Sequence, residues 1–263
     1  MPAPLNSFKR ALAEGRRQIG LWSQIGSPTA IEMIAGSGFD FIGIDAEHGP
    51  SDLVTVWAQV QAVMAGGDSH VMVRLPSCDP VLVKQYLDMG VQTLVFPQVE
   101  TAEQAAAIVA STRYPPKGVR GYCGAPRASR FGRIKDYPFT AEAEICVIVQ
   151  PESTKALDNV EAIAAVEGVD GFFVGPGDLS ADMGLLHGAL KPEVIDTIIA
   201  AGRRLRAAGK SAGIICADEA VTRRYVEAGF DIVCVGSDQG LLVKGADDLA
   251  LRFRTPSETR MSA

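Results

Sequence analysis

The sequence lacks the features of a nucleic-acid-binding or membrane protein. Its 263 residues carry 31 acidic and 25 basic side chains, which give a net charge of −6 and a pI of about 5.2. Such a chain has no basic surface to neutralise phosphates. No apolar run approaches the ~18 residues of a membrane span, and charges spread through the N-terminal stretch are unlike a signal peptide. We expect a cytoplasmic protein that binds neither nucleic acid nor membrane.

Cysteine is also scarce. The five cysteines are odd in number and have no C-x-x-C spacing, which argues against a disulfide framework and against a zinc site. A reducing compartment fits this usage best. The composition, 47% hydrophobic and 21% charged, is that of a globular protein. Since no linker divides the chain, we predict one domain over residues 1–253 and a polar tail over residues 254–263.

Short apolar, β-rich runs alternate with segments of helical periodicity. This alternation predicts parallel strands joined by helices, and eight such units in a chain of this length predict a (β/α)8 barrel. A doubly wound open sheet is the competing fold, but no G-x-G-x-x-G follows the first run. The eight predicted strands are Ile19 to Trp22, Phe41 to Ile44, Val71 to Arg74, Thr93 to Phe96, Cys146 to Val149, Gly171 to Val174, Ala212 to Ile215 and Ile232 to Val235.

Polar residues follow several of these strands. In a barrel the active site gathers at the carboxyl ends of the strands, so these residues should converge. They are Asp45-Ala46-Glu47-His48 after the second strand, Arg74 at the end of the third, Gln150-Pro151-Glu152 after the fifth and Gly175-Pro176-Gly177-Asp178 after the sixth.

Two of these residues are carboxylates in neighbouring loops. Glu152 and Asp178 form a pair that could hold a divalent cation and leave positions open for water and substrate. Oxygen ligands suit Mg²⁺, Mn²⁺ or Co²⁺ better than Zn²⁺. The alternative is that each carboxylate only caps the helix that follows it.

The remaining polar residues suggest acid–base and anion chemistry. The amides of Gly177 and Asp178 are open to a substrate carboxylate. His48 is placed to move a proton near neutral pH. Arg74, a cation at the end of an apolar strand, suits a developing oxyanion. By contrast, His70 begins a strand at the opposite face, and we interpret it as structural.

One connection is unusually long. Residues 115–138 contain six basic side chains and Tyr122, and loops of this length are often functional. We weigh a substrate lid or a subunit contact against a disordered insertion.

In combination and in this order, the motifs resemble the class II pyruvate aldolases of the HpcH/HpaI family over nearly the whole chain. The matching motifs are Gly20-Leu21-Trp22, Gly38-Phe39-Asp40, Ile44-Asp45-Ala46-Glu47-His48, Val73-Arg74, Lys84-Gln85-Tyr86-Leu87-Asp88, Arg113-Tyr114-Pro115-Pro116, Gly118-Val119-Arg120-Gly121, Gln150-Pro151-Glu152 and Gly175-Pro176-Gly177-Asp178-Leu179-Ser180.

The resemblance implies a metal-dependent, reversible aldol reaction. A pyruvate-type donor, pyruvate or hydroxypyruvate, would join an aldehyde to give a 4-hydroxy-2-oxo acid. The implied roles are Glu152 and Asp178 as metal ligands, His48 as proton acceptor made more basic by Asp88, Arg74 as transition-state stabiliser, Gln150 with the backbone of Gly177 and Asp178 as donor contacts, and Trp22 and Ile215 as pocket walls.

Asp88 raises a geometric problem. It ends the helix before the fourth strand, near the amino-terminal face of its barrel, whereas His48 lies at the carboxyl face. A His48–Asp88 pair would therefore join two subunits, and the relatives suggest a trimer-based homohexamer. The alternatives are that Asp88 only caps its own helix end or pairs with a nearby base such as Lys84.

Two other functions stay open. A CoA-ester lyase of the citrate lyase β-like branch would share the barrel and the paired carboxylates but bind a nucleotide-bearing thioester. A noncatalytic barrel would bind metal and oxo acid without exchanging protons at the donor methyl group.

Overall fold

A computed structural model of the chain, which describes residues 1–254, shows a closed barrel of eight parallel strands in sequential order. The predicted barrel and all eight predicted strands are confirmed, with boundaries within two residues. Apart from Arg254, the predicted tail lies outside the described residues. The strands are β1 Gln18–Ser23, β2 Phe41–Asp45, β3 His70–Arg74, β4 Thr93–Phe96, β5 Cys146–Val149, β6 Gly171–Val174, β7 Ser211–Ile215 and β8 Ile232–Ser237.

Helices connect the strands and cover the outside of the barrel. Most begin at a side-chain cap; Thr101, for example, forms a reciprocal capping box with Gln104. The α-helices are α1 Ser7–Ala13, α2 Pro28–Ala35, α3 Leu53–Gly66, α4 Pro80–Asp88, α5 Ala102–Thr112, α6 Tyr137–Thr140, α7 Thr154–Asp158, α8 Val160–Ala164, α9 Pro176–Asp182, α10 Pro192–Ala207, α11 Glu219–Glu227 and α12 Asp238–Phe253.

Glycines in β1 and β2 make room for aromatic rings inside the barrel. Gly20 is in register with Phe41, and Trp22 with Gly43. A Cβ atom at either glycine would lie 2.4 Å from the ring opposite it. This small-to-large pairing fills the barrel interior with side chains. Trp22, which lies near the carboxyl end of β1, packs in this interior just below the carboxyl face.

The first helix closes the other end of the barrel. Phe8 of α1 is fully buried and lies 5.4 Å from the ring of Phe41 and 5.5 Å from the ring of His70. His70 also contacts the Thr93 hydroxyl at 2.7 Å. Side chains therefore fill the amino-terminal end of the barrel. His70 packs among them, which agrees with its interpretation as a structural residue.

The long connection at residues 115–138 packs at this same amino-terminal face. It contains a short 3₁₀ helix, Arg127–Ser129, and Arg127 donates to the Met89 carbonyl at 2.7 Å, just past the end of α4. Ala128, Ile134 and Tyr137 form a small core with Ala3 and Ala141. A disordered insertion and a lid over its own barrel are both wrong, because the segment is folded at the end opposite the strand carboxyl ends. A subunit contact stays a prediction.

The last helix leaves its apolar side chains uncovered. From Gln239 onward every residue of α12 is exposed, including Leu241, Leu242 and Phe253. None of the helices within residues 1–254 combines the length and apolar character needed to cross a membrane.

Candidate active site

Arg74 and Asp45 form a buried ion pair at the centre of the carboxyl face. They end neighbouring strands β3 and β2 and are partners in register. Arg74 donates from Nε to Asp45 Oδ1 at 3.0 Å and from Nη2 to Oδ2 at 2.6 Å. Burial alone would raise the pKa of Asp45, but the bonds and charge of Arg74 outweigh it and hold that pKa below its ordinary value. This bidentate geometry fixes the plane of the guanidinium.

Asp45 also organises the residues around this pair. It accepts from the Trp22 indole N–H at 3.2 Å and from the backbone N–H groups of Glu47 and His48 at 3.1 Å each. The Arg74 guanidinium lies 5.4 Å from the centre of the Trp22 ring. One carboxylate therefore ties the cation, the aromatic floor and the loop that carries His48 into a single unit.

Glu47 lies between Arg74 and His48. Its Oε2 is 3.1 Å from Arg74 Nη1 and 3.9 Å from His48 Nε2. Burial raises the pKa of Glu47, although the charge of Arg74 opposes the rise. The His48 side chain is 59% exposed, so its ring is open to solvent at the mouth of the barrel.

Glu152 is a buried carboxylate, and one of its two oxygens lacks a hydrogen-bond partner within residues 1–254. Oε2 accepts from the Gln98 backbone N–H at 3.0 Å, whereas the buried Oε1 has no hydrogen-bond partner among the residues described. Burial raises the pKa of Glu152 to about 7, and the negative charges of Asp178 and Glu47 add to the rise. A cation at Oε1 would favour the charged carboxylate and so oppose this rise in pKa.

Gly175 leaves the space in which Glu152 lies. A Cβ atom at residue 175 would be 2.3 Å from Glu152 Oε1, so only glycine lets the carboxylate keep this position. Asp178, in the first turn of the following helix α9, has an exposed side chain, and its negative charge acts on Glu152. The two predicted ligands are therefore close enough for their charges to interact.

The capping alternative for these carboxylates is wrong. Ser153 caps α7 by accepting from the Ala156 N–H, and Gly175 is the N-cap of α9. Within residues 1–254 no three His, Cys, Asp or Glu side chains lie close enough to form a metal cluster. The unpartnered Oε1 of Glu152 and the all-oxygen donors fit a divalent ion that takes two protein ligands and completes its shell with water or substrate.

The predicted donor contacts lie around this carboxylate pair. Gln150 directly follows β5; it is buried, and its Oε1 has no partner in the described part of the chain. Gly177 is exposed at the start of α9. Trp22 stacks at 5.3 Å on Phe173 of β6, and Ile215 ends β7 against the same inner cluster. These positions are compatible with a small polar pocket on an aromatic floor.

Asp88 lies apart from this site, as its place in the sequence predicts. It is the last residue of α4, and its Oδ1 accepts from Arg120 Nη2 at 2.7 Å. Asp88 therefore pairs with a base of its own chain, as one alternative expected, although that base is Arg120 and not Lys84. In the described chain His48 and Asp88 form neither a hydrogen bond nor an ion pair.

Sequence reasoning missed the roles of Asp45 and Glu47. Both belong to the motif that supplied His48, but only the histidine received a chemical role. The signal was present, because a charged residue ending β3 needs a counter-charge and Asp45 ends the strand beside it.

The sequence matches the family model of HpcH/HpaI aldolase/citrate lyase over residues 18–245. The chain belongs to this family. The 4-hydroxy-2-oxovalerate aldolase of Rhodococcus jostii is 49% identical over 253 residues, 96% of this chain and 98% of the relative. The hydroxypyruvate/pyruvate aldolase of Deinococcus radiodurans is 49% identical over 264 residues, 98% of this chain and 95% of the relative.

A solved structure of an HpcH/HpaI aldolase/citrate lyase family protein from Burkholderia cenocepacia has the same fold. It superposes with a TM-score of 0.89 at 40% identity and covers 95% of this chain and all of the other. The predicted family and the predicted enzyme class, a carbon–carbon lyase of the aldolase type, are confirmed by these relatives.

Proposed function

We propose that this HpcH/HpaI aldolase catalyses a reversible, metal-dependent aldol reaction between pyruvate or hydroxypyruvate and an aldehyde, with a 4-hydroxy-2-oxo acid as the product of addition. The observation that carries the proposal is the buried Glu152 carboxylate, whose Oε1 has no partner among the described residues, within reach of the charge of the fixed Arg74 guanidinium. The Glu152 carboxylate is placed to hold a cation, and the Arg74 guanidinium is placed to face an anion.

Glu152 and Asp178 would hold the divalent ion, Mg²⁺, Mn²⁺ or Co²⁺. When bound there, such an ion supplies positive charge beside the donor's 2-oxo group. Gln150 and the backbone N–H groups of Gly177 and Asp178 would orient the donor carboxylate, while Trp22 and Ile215 limit the room around it.

The protein's own side chains would then move the proton and stabilise the charge. In cleavage, His48 accepts the proton of the substrate's 4-hydroxyl group, directly or through water. The bond between carbons 3 and 4 breaks, the aldehyde leaves, and the electron pair stays with the donor as an enolate, which takes up a proton at carbon 3. Arg74, held by Asp45 and Glu47, keeps N–H groups free to face the enolate oxygen.

A second copy of the chain would complete the site. Asp88 borders a cleft of about 440 Å³ lined by exposed apolar groups that include Trp57 and Phe131. Together with the uncovered leucines of α12, this surface supports a homo-oligomer, for which we propose a trimer-based hexamer. In it Asp88 of one subunit would pair with His48 of the next and raise its basicity.

We further propose that residues 1–253 form the single catalytic domain and that the protein is cytoplasmic. All five cysteines are free thiols, which a reducing compartment would preserve.

A panel of aldehydes tests the reaction. Each aldehyde is incubated with pyruvate or hydroxypyruvate, with chelator or with added Mg²⁺, Mn²⁺ or Co²⁺, and products are identified by mass. We expect 4-hydroxy-2-oxo acids only with metal. Turnover of CoA thioesters without turnover of free oxo acids would favour the lyase alternative, and oxo-acid binding without turnover would favour the noncatalytic barrel.

Mixed subunits test the shared site. Inactive His48→Ala and Asp88→Ala proteins are mixed under conditions where subunit exchange is proven with differently tagged chains. Activity should return, because some interfaces unite an intact His48 with an intact Asp88. No recovery despite exchange, or a fully active monomer, would contradict the pairing.

A further inference from the structure

Arg120 is a fully buried cation at the amino-terminal face of the barrel. Its side chain is 0% exposed, while that of Asp88, its one carboxylate partner within residues 1–254, is 21% exposed. The guanidinium lies 4.5 Å from the centre of the Tyr114 ring. Nη2 donates to Asp88 Oδ1 at 2.7 Å, and the Tyr137 hydroxyl interacts with the same guanidinium. Nε and Nη1 are buried, and neither has a partner of good hydrogen-bond geometry among the described residues.

This arrangement is costly as a stabilising device. A buried ion pair recovers its desolvation cost only when geometry is good and the other N–H groups are satisfied. Here Nε and Nη1 lack a hydrogen-bond partner of good geometry in the described chain, and a buried donor without a well-formed bond is unfavourable. An apolar side chain of similar size would fill the same space without that cost. An apolar residue would not provide a positive charge, which here faces Tyr114 and Tyr137 and forms the ion pair with Asp88.

Other contacts already hold the segment that carries Arg120. At its start, Lys117 and Arg113 pair with Glu142 at 3.0 and 3.4 Å. Farther along, Arg127 donates to the Met89 carbonyl. A tether to the end of α4 therefore exists without Arg120.

We propose that Arg120 is a positioning residue that holds the Asp88 carboxylate in the orientation needed to meet His48 of a neighbouring subunit. Arg120 binds Oδ1 and leaves Oδ2 free, at the edge of the cleft bordered by Trp57 and Phe131. This inference rests on the proposed function, because Asp88 acts only through the shared site.

A double-mutant cycle tests the inference in the full-length protein. Arg120→Met, Asp88→Asn and the double variant are compared by steady-state kinetics with pyruvate as donor. Arg120→Met should lower kcat by about 10–100-fold, the range for residues that orient a functional group, with a much smaller change in the KM for pyruvate. The double variant should be no slower than Asp88→Asn alone, because Arg120 acts through Asp88.

Two further variants separate positioning from structure. Arg120→Lys keeps a cation and should restore part of the lost kcat; it also keeps the test valid if Arg120→Met does not fold. Lys117→Met breaks an exposed ion pair of the same segment and should leave kcat unchanged. Oligomer size and Tm are measured for every variant.

Each outcome has a distinct meaning. If Asp88→Asn is as active as wild type, the proposed shared site fails. If Asp88→Asn is impaired but Arg120→Met is not, or if the two effects multiply in the double variant, the positioning role is wrong. A loss of kcat in Arg120→Met that merely follows a loss of Tm or oligomer, with no recovery in Arg120→Lys, would also overturn it.

Discussion

Replacing Gly175 with alanine should weaken metal binding without unfolding the barrel. The backbone at residue 175, with φ of −87° and ψ of 100°, is allowed for any L-residue, so the new methyl group brings no backbone strain. Its effect comes from contact alone. The Cβ atom would lie 2.3 Å from Glu152 Oε1, 2.8 Å from Cγ and 3.0 Å from Cδ, all atoms of one predicted ligand.

The size of the effect follows from these distances. An ordinary carbon–oxygen contact is about 3.4 Å, so Oε1 must move by about 1 Å. Metal–ligand distances tolerate only about 0.2 Å. We expect a loss of affinity of about 10–100-fold, the range for disturbing the support of a metal ligand, which corresponds to about 1.4–2.7 kcal/mol at 1.36 kcal/mol per tenfold.

The assay is calorimetric titration of the metal-free protein with Mn²⁺, and Gly177→Ala is the matched control. Gly177 lies two residues later in the same turn, and a Cβ atom there meets nothing within 4 Å. The control should bind Mn²⁺ like wild type. Equal Mn²⁺ affinity in wild type and a folded Gly175→Ala variant would refute the assignment of Glu152 as a ligand in this position.

Two further predictions concern catalysis and pH. Arg74→Ala should lower kcat by about 10²–10³-fold, as for other oxyanion donors, with donor binding retained; a variant with normal kcat and a raised KM would make Arg74 a binding group instead. Burial lowers the pKa of His70 from 6.5 to about 4. Between these two pH values His70 is protonated in the unfolded chain but not in the folded protein, so the free energy of unfolding should fall as the pH drops from 6.5 to 4. That shift corresponds to ~3 kcal/mol, and we expect ~2 kcal/mol because the residue is only partly buried. His70→Gln should lack this part of the pH dependence in urea unfolding; an identical dependence would show that other groups cause it.

The barrel could be predicted because its strands are local, continuous apolar runs. The clustering of Arg74, Glu152 and Asp178 followed from one rule, that parallel strands bring their carboxyl ends to one face. Asp45 shows where this reasoning stopped. The sequence shows that Arg74 needs a counter-charge, but its two bonds to Asp45 depend on the register of β2 against β3, a non-local property that the two runs do not reveal separately.

Residues 115–138 show a second limit. Length and charge indicated a functional loop but not the end of the barrel at which it lies. A helix that follows a strand returns the chain to the amino-terminal face, so the segment after α5 starts at the end opposite the site. That topological step would have excluded a lid over its own barrel from sequence alone. The burial of Arg120 against Tyr114 depends on tertiary packing, which no local pattern encodes.

Proton exchange at the donor methyl group tests the central claim most directly. Pyruvate is incubated in D₂O with the metal-free protein, with and without Mg²⁺, and the methyl signal is followed by proton NMR. The account predicts rapid loss of the signal with Mg²⁺ and wild-type protein, and no loss beyond the protein-free rate when the metal is removed or Glu152 is replaced by alanine. Equal exchange by the metal-free protein would contradict it.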